Sequence, residues 1–388
     1  MLLRVAELKA YVKRIVYSLL AILLKPSKRQ IQKTLLLIRL DSIGDYILFR
    51  NYIQILKEDE RYAEYSITLL GNLAWRELAE ELDSEYIDEF IWLDRGKFGR
   101  NLRYRYKKLQ NIISKGYEVV LSPVYSRDFF CEDEIVSLVH SKKKIGSLGD
   151  LSNIEGWQKN ISDKYYSELI NADKKVLFEF DRNREFFEYF LDLKIDVKRP
   201  IVELNRYRSR FNLPIPFAVF FIGSSAGFRK WSIEKFAVIA QHLKDTYGYE
   251  IVLCGSAGDM DDAQIFLKCF NNNCTNLVGK TSLVELLDVF SNSKLILSNE
   301  TCAPHCAVAL DVENLFVISN GNHYGRFVPY PKSITENYHT IFHPKIDHNQ
   351  DNDDYLQSMY GSGSDLDINE ISEQRVKDAI DDKLFKGD

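Results

Sequence analysis

Three short stretches of this 388-residue chain gather side chains able to move a proton or hold an anion. The first is Asp41-Ser-Ile-Gly44-Asp45, which closes an apolar run, Thr34–Leu40, and precedes a helix expected over Tyr46–Lys57. An acid at a helix start is held ionised by the helix dipole. Asp45 is therefore a candidate general base, one that accepts a hydroxyl proton late, as the new bond forms. Gly44 permits a tight turn and close approach of neighbouring groups. Asp is also a preferred helix cap, so these residues alone leave open whether Asp45 or Asp41 does no more than cap.

The second stretch is Gly223-Ser224-Ser225-Ala-Gly-Phe-Arg229-Lys230-Trp231, after the apolar run Phe217–Ile222. Glycines and small hydroxyl residues at a strand end offer N–H and O–H donors to a phosphate. Arg229 and Lys230 stand at the start of the next helix, where cations are unfavourable unless an anion joins them. A solvated basic loop is the plain alternative. The third stretch, Ser298-Asn-Glu300-Thr301-Cys302-Ala-Pro-His305, again runs from a strand end into a helix. It offers a second phosphate position, with Glu300 suited to sugar hydroxyls. His305 lies on an apolar helix, where a satisfied core histidine competes with a ligand contact.

Metal chemistry is poorly served by the sequence. Cys302-Ala-Pro-His305-Cys306 lacks the second ligand pair that zinc sites show. Asp259-Met-Asp261 opens a helix and Asp351-Asn-Asp353 lies in a polar tail, so neither D-x-D sits in a metal-binding context. Gly255-Ser-Ala-Gly258 is not a dinucleotide fingerprint. No cofactor is expected.

These stretches need strands to carry them. From Thr34 to about Ser147, strand-like and helix-like segments alternate, which implies βαβ units and a parallel sheet. A second such series starts at Phe217. We read residues 34–195 as one Rossmann-like domain, 196–216 as a proline-marked linker and 217–342 as a second such domain. Residues 343–388 read as an acidic, exposed loop followed by a helix over Asn369–Leu384, capped by Asp367. Two doubly wound α/β domains in tandem are expected to face each other across a cleft, where pockets form.

A net charge of -5 argues against nucleic acid as a partner, but residues 1–33 carry eight Lys/Arg against one acid. Ile15–Leu24 is apolar and too short to span a bilayer. With cationic flanks at Lys13-Arg14, Lys25 and Lys28-Arg29, it suits a helix lying on an anionic leaflet, or one packed on the first domain. Six cysteines without a C-x-x-C pair suit the reducing cytoplasm.

Taken together, the motifs resemble those of glycosyltransferase family 9, the ADP-heptose:lipopolysaccharide heptosyltransferases. Ile38-Arg-Leu-Asp-Ser-Ile-Gly-Asp45 is similar to that family's first turn, and Lys230-Trp231-Ser-Ile-Glu234-Lys-Phe236 to its phosphate segment. Leu277-Val-Gly-Lys280-Thr281-Ser-Leu283 and Ser298-Asn-Glu-Thr301 to His305 resemble two further elements. Glu300 and Cys302 stand where the family usually has Asp and Gly.

The resemblance implies a GT-B fold, with acceptor bound by the N-terminal domain and nucleotide-sugar by the C-terminal one. It implies metal-independent, inverting transfer of a heptose-type sugar, from ADP-heptose or a related donor, onto a lipid-linked glycan such as a lipopolysaccharide core. Asp45 would be the base. Lys230, Ser224 and Ser225 would hold the diphosphate, with Arg229 adding charge. Thr301 and Cys302 would offer N–H groups, Glu300 would face sugar or ribose, and Thr281 would lie near the base. The enzyme would work on the cytoplasmic side, peripherally on the inner membrane. A GT-B-shaped binding or scaffold protein without transfer activity is the alternative.

Overall fold

The computed structural model describes residues 2–27, 31–204 and 211–385. Lys28 and Arg29, and residues 205–210 of the expected linker, lie outside the described residues. The chain forms two compact units.

The first unit comprises Met1–Ser42, Tyr52–Ala172 and Arg182–Ile195. Its sheet is built from β1 (Thr34–Arg39), β2 (Ser66–Asn72), β3 (Glu89–Leu93), β4 (Tyr117–Ser122), β5 (Ser141–Ser147) and β6 (Glu168–Ile170). They lie in the order β3-β2-β1-β4-β5-β6, every pair parallel. Leu35 to Ile38 are fully buried, as expected of a central parallel strand covered on both faces. The chain winds outward from β1 in one direction through β2 and β3, then in the other from β4. The switch point thus lies between β1 and β4, where open sheets bind ligands beyond the strand ends.

The second unit comprises Ile43–Asn51, Asp173–Asp181 and Asp196–Asp388. Its strands are β7 (Phe217–Phe221), β8 (Glu250–Cys254), β9 (Cys274–Asn276), β10 (Leu295–Asn299), β11 (Leu315–Ser319) and β12 (Tyr338–Phe342). They form a second parallel sheet, β12-β11-β10-β7-β8-β9, with its switch point between β7 and β10. Trp231 anchors one layer of core, fully buried, its Nε1 donating to the Ile371 carbonyl at 3.0 Å.

Several elements differ from expectation. The helix after the first turn begins at Ile43, not Tyr46, and ends at Phe49, with a second from Asn51 to Glu58. Within the alternating series, a short helix, Arg95–Arg100, stops at Asn101, whose side chain accepts from Tyr104 N and so starts a new helix, Leu102–Ile113. Ser232 stands at a cap position, yet its hydroxyl donates to Glu234 at 2.6 Å instead of accepting from the helix.

The tail is the largest difference. It is packed, not an exposed loop: Ile346, Leu356 and Tyr360 join Tyr324, Val328 and Phe342 in a small core. Asn352 caps the helix Asp353–Tyr360, and Asp353 and Asp354 fall in its first turn, where the dipole favours them. Asp367 caps a short 3-10 turn, Ile368–Glu370. Ser372 caps the last helix, Glu373–Leu384.

Candidate functional site

All eleven candidate residues fall in the second unit, because the helix Ile43–Phe49 belongs to it. Asp45 is half-buried in that helix's first turn, and Gly44 is buried beside it. Gly44 lies directly on the ring of His305. A Cβ there would stand 2.7 Å from His305 Cδ2 and 3.4 Å from Nε2. His305, in the helix Cys302–Ala309, is fixed in turn by Tyr330, whose hydroxyl lies 2.7 Å from Nδ1. Burial lowers its pKa to about 4, so the imidazole is neutral. His305 is thus a buried packing histidine, and what it packs against is the turn that presents Asp45.

The loops leaving β7 and β10 flank the second switch point. Asn299 stitches them together. Its Oδ1 accepts from Trp231 N at 3.0 Å and its Nδ2 donates to the Ile222 carbonyl at 3.0 Å. On one side, Arg229 Nη2 donates to Ser225 Oγ at 3.0 Å, and Nη1 lies 4.0 Å from Glu300 Oε1. Glu300 is buried, and its Oε2 accepts from Ser319 Oγ at 2.5 Å. Burial pushes its carboxyl up to about 7, with the Ser319 bond and the Arg229 charge opposing the rise. Near neutral pH this group can give or accept a hydrogen bond, which suits a sugar hydroxyl.

On the other side, Lys230 lies between two acids. Its Nζ is 3.1 Å from Asp259 Oδ1 and is also bonded to Asp262. Burial would lower the ammonium pKa, but the bonds to Asp262 and Asp259 outweigh it and raise it. Asp259 further accepts from Ser256 N and Oγ, at 2.9 and 2.7 Å. Any side chain at Gly223 would run into it, a Cβ standing 2.6 Å from Asp259 Oδ2. Asp259 of the first D-x-D therefore joins Asp262, outside that motif, in clamping the lysine. The two acids are three apart at a helix start.

The remaining candidates sit at the edges. Ser224 Oγ donates to the Ala226 carbonyl at 3.1 Å, within its own loop. Thr301 caps the helix Cys302–Ala309 by accepting from Ala303 N at 3.3 Å. Desolvation raises the Cys302 thiol to about 11, so it is no thiolate. Thr281 precedes the Ser282–Glu285 capping box and, among the described residues, makes no hydrogen bond to another candidate.

The first unit holds a polar cluster at its own switch point that the sequence did not suggest. Asp41 pairs with buried Arg39 (Nε to Oδ2, 2.9 Å), while its carbonyl accepts from Trp75 Nε1 at 3.0 Å. Arg39 also donates to Asn183 at 3.0 Å. Arg95, beyond β3, bonds Asp128 at 2.9 Å and stands 3.8 Å from Asp41 and 4.0 Å from Glu132. Burial pushes Glu132 up to about 8, against the pull of Arg95. Asp128, Cys131 and Glu132 bring ligand atoms within 4.8 Å of one another, and Arg95 supplies the positive charge there. Asp41 is tied down from several sides, so its part is structural.

With this geometry in hand, comparison with known proteins is decisive on kinship. The model of glycosyltransferase family 9 (heptosyltransferase) matches residues 152–355, just over half of the chain. The chain belongs to glycosyltransferase family 9. Lipopolysaccharide heptosyltransferase 2 of Salmonella typhimurium is 32% identical over 87 residues, 21% of this chain and 25% of that protein. Its counterpart in Escherichia coli matches to the same extent. The match thus spans about a quarter of the length of these curated relatives.

Among solved structures, the family 9 glycosyltransferase from Veillonella parvula superposes with a TM-score of 0.65 at 18% identity, covering 92% of this chain and 98% of that one. E. coli heptosyltransferase WaaC with ADP gives 0.66 at 15% identity, covering 90% and 100%. E. coli ADP-heptose lps heptosyltransferase II gives 0.63 at 19%, covering 91% and 99%. The two parallel six-stranded sheets are those of the GT-B fold of such family 9 proteins. The family match begins at residue 152, so Asp45 and its turn lie outside it.

Proposed function

We propose that this family 9 protein is a heptosyltransferase-type glycosyltransferase. It moves a heptose-type sugar, from ADP-heptose or a related nucleotide-sugar, onto a lipopolysaccharide core or related lipid-linked glycan at the inner face of the membrane. The observation that carries the reading is Arg229 standing beside the Glu300–Ser319 pair, with Lys230 next to it in the chain, at the β7/β10 switch point of a family 9 fold. Cations there suit a diphosphate, and a carboxyl near neutrality suits a sugar.

In this reading Asp45 takes the acceptor hydroxyl proton as that oxygen attacks the anomeric carbon from the face opposite the leaving group. The bond from that carbon to the diphosphate oxygen breaks, and the nucleoside diphosphate leaves with the electron pair. Configuration at the anomeric carbon inverts. Lys230 and Arg229, with the hydroxyls of Ser224 and Ser225, stabilise the charge that develops on the diphosphate. Donors already in place when the bond breaks lower the barrier without needing to reorganise. Because Asp259 is committed to Lys230 and Ser256, side-chain cations carry this task in our scheme and a divalent metal does not.

The test pairs two variants. Asp45→Asn is expected to lower kcat by at least about a hundredfold with donor affinity unchanged. Lys230→Ala is expected to weaken nucleoside diphosphate binding, measured by calorimetry. Full turnover by Asp45→Asn would remove the base, and unchanged affinity in Lys230→Ala would remove the diphosphate contact. The tethering of Lys230 by two acids favours one second reading, a nucleotide-sugar-binding protein without transfer. Donor binding with no acceptor-dependent release of diphosphate would establish it.

A further inference from the structure

The N-terminal helix, Leu2–Ile22, carries two opposed apolar faces. One packs on the first unit. Tyr17 is buried, its hydroxyl donates to the Gly99 carbonyl at 3.0 Å, and the Arg105 guanidinium stacks 3.5 Å over its ring. Leu24, just past the helix, joins the same core. Lys13 lies over the Phe130 ring at 4.3 Å. The helix is therefore a fixed part of the fold.

The other face has no such partner. Leu8, Val12, Ile15, Leu19 and Ile22 recur at helical spacing and are 64%, 52%, 61%, 61% and 78% exposed. Beyond the helix end, Leu23 widens the stripe. A helix resting on a globular domain turns polar residues outward, so this is the reverse of the expected pattern. A contiguous apolar strip of this kind marks an interaction surface.

Charge identifies the occupant. The first 33 residues carry eight Lys/Arg against one acid. The neighbouring helix, Leu102–Ile113, turns Arg103 and Lys107 to solvent. The chain just after the N-terminal helix is locked to it: Lys25 N donates to Gln110 Oε1 at 3.0 Å and Gln110 Nε2 donates back to the Lys25 carbonyl at 2.9 Å. Ser27 N donates to the Ile113 carbonyl at 2.8 Å. Two copies meeting at this face would bring like charges together, whereas an anionic bilayer supplies the opposite sign. Among the described residues no helix is long and apolar enough to cross a membrane.

We propose that the Leu8–Ile22 stripe, with the Arg103/Lys107 face beside it, is a rigid in-plane membrane-docking surface for an anionic leaflet. The bound helix would set the first unit at a fixed attitude to the bilayer, bringing it to the plane of a lipid-linked acceptor. The inference deepens the membrane side of the proposed function, but its test requires no sugar transfer, so each can fail without the other.

The test is co-sedimentation of the full chain with phosphatidylglycerol-containing vesicles and with phosphatidylcholine vesicles, at low and high salt. Wild type is expected to bind the anionic vesicles and to release partly in salt. Ile15→Asp with Leu19→Asp should lower partitioning at least about tenfold with an unchanged melting temperature, since both side chains face solvent. Arg103→Glu with Lys107→Glu should weaken binding to anionic vesicles alone and blunt its salt dependence. Wild-type binding by the Ile15/Leu19 variant would overturn the proposal. So would a wild-type dimer, seen by sedimentation velocity, that this variant dissolves while neither protein binds vesicles.

Discussion

The contact between Gly44 and His305 offers a sensitive way to probe how Asp45 is placed. Gly44→Ala adds one methyl group, which would stand 2.7 Å from His305 Cδ2 where ordinary contact begins at 3.4 Å, a deficit of 0.7 Å. The ring has little freedom to retreat, being buried and held by Tyr330 at 2.7 Å. The helix start that carries Asp45 must give way. A displacement of about 1 Å in a reacting group costs about a hundredfold in rate. We therefore expect kcat to fall between about tenfold and a hundredfold, with donor affinity unchanged. Overpacking of this kind also costs about 1–3 kcal/mol of stability, readable as a lowered urea midpoint. The assay is acceptor-dependent release of nucleoside diphosphate, run on Gly44→Ala, on His305→Ala and on the double variant. His305→Ala vacates the space the methyl needs, so the double variant should match His305→Ala alone. A Gly44→Ala enzyme with kcat within about twofold of wild type would refute the coupling. So would a loss that removing the ring leaves unrelieved.

Two further predictions follow from buried groups. Glu300, pushed up to about 7 by burial, is neutral below that pH and ionises above it beside Arg229. The new anion competes for Arg229 and repels a diphosphate, so ADP affinity should fall about tenfold as pH rises through 7. Glu300→Gln should flatten that profile, and a persisting slope would assign it elsewhere. The same shift bears on stability: the folded pKa lies above the ordinary carboxyl value of 4.5, so Glu300 contributes most at low pH and loses that contribution as pH rises through about 7. In the tail, Leu356 is fully buried, and Leu356→Ala should cost about 2–5 kcal/mol in urea unfolding. A cost near zero would mean that the small core around it contributes nothing.

The sequence by itself determined the sheets. Strands such as Thr34–Arg39 and Phe217–Phe221 are unbroken apolar runs because a parallel strand covered on both faces has no polar side to show. The turns that follow them were legible for the same reason: glycine and short polar residues stand out against such runs. So was the glycine- and serine-rich loop that leaves β7 at Gly223. Composition misled where burial is local. The tail is acidic on average, yet Ile346, Leu356 and Tyr360 suffice to fold it onto Tyr324 and Phe342.

What only the tertiary structure decided is partnership between distant residues. Nothing in the spacing of Lys230, Asp259 and Asp262 shows that two acids hold one lysine, because the β8 crossover brings them together. The same holds for Ser319 on Glu300, for Arg95 among Asp41, Asp128 and Glu132, and for Gly44 against His305. The turn Asp41–Asp45 was readable as a candidate site because its chemistry is local. What sits against it comes from elsewhere in the chain, Trp75 and Arg95 on Asp41 and His305 on Gly44, and only packing can choose those.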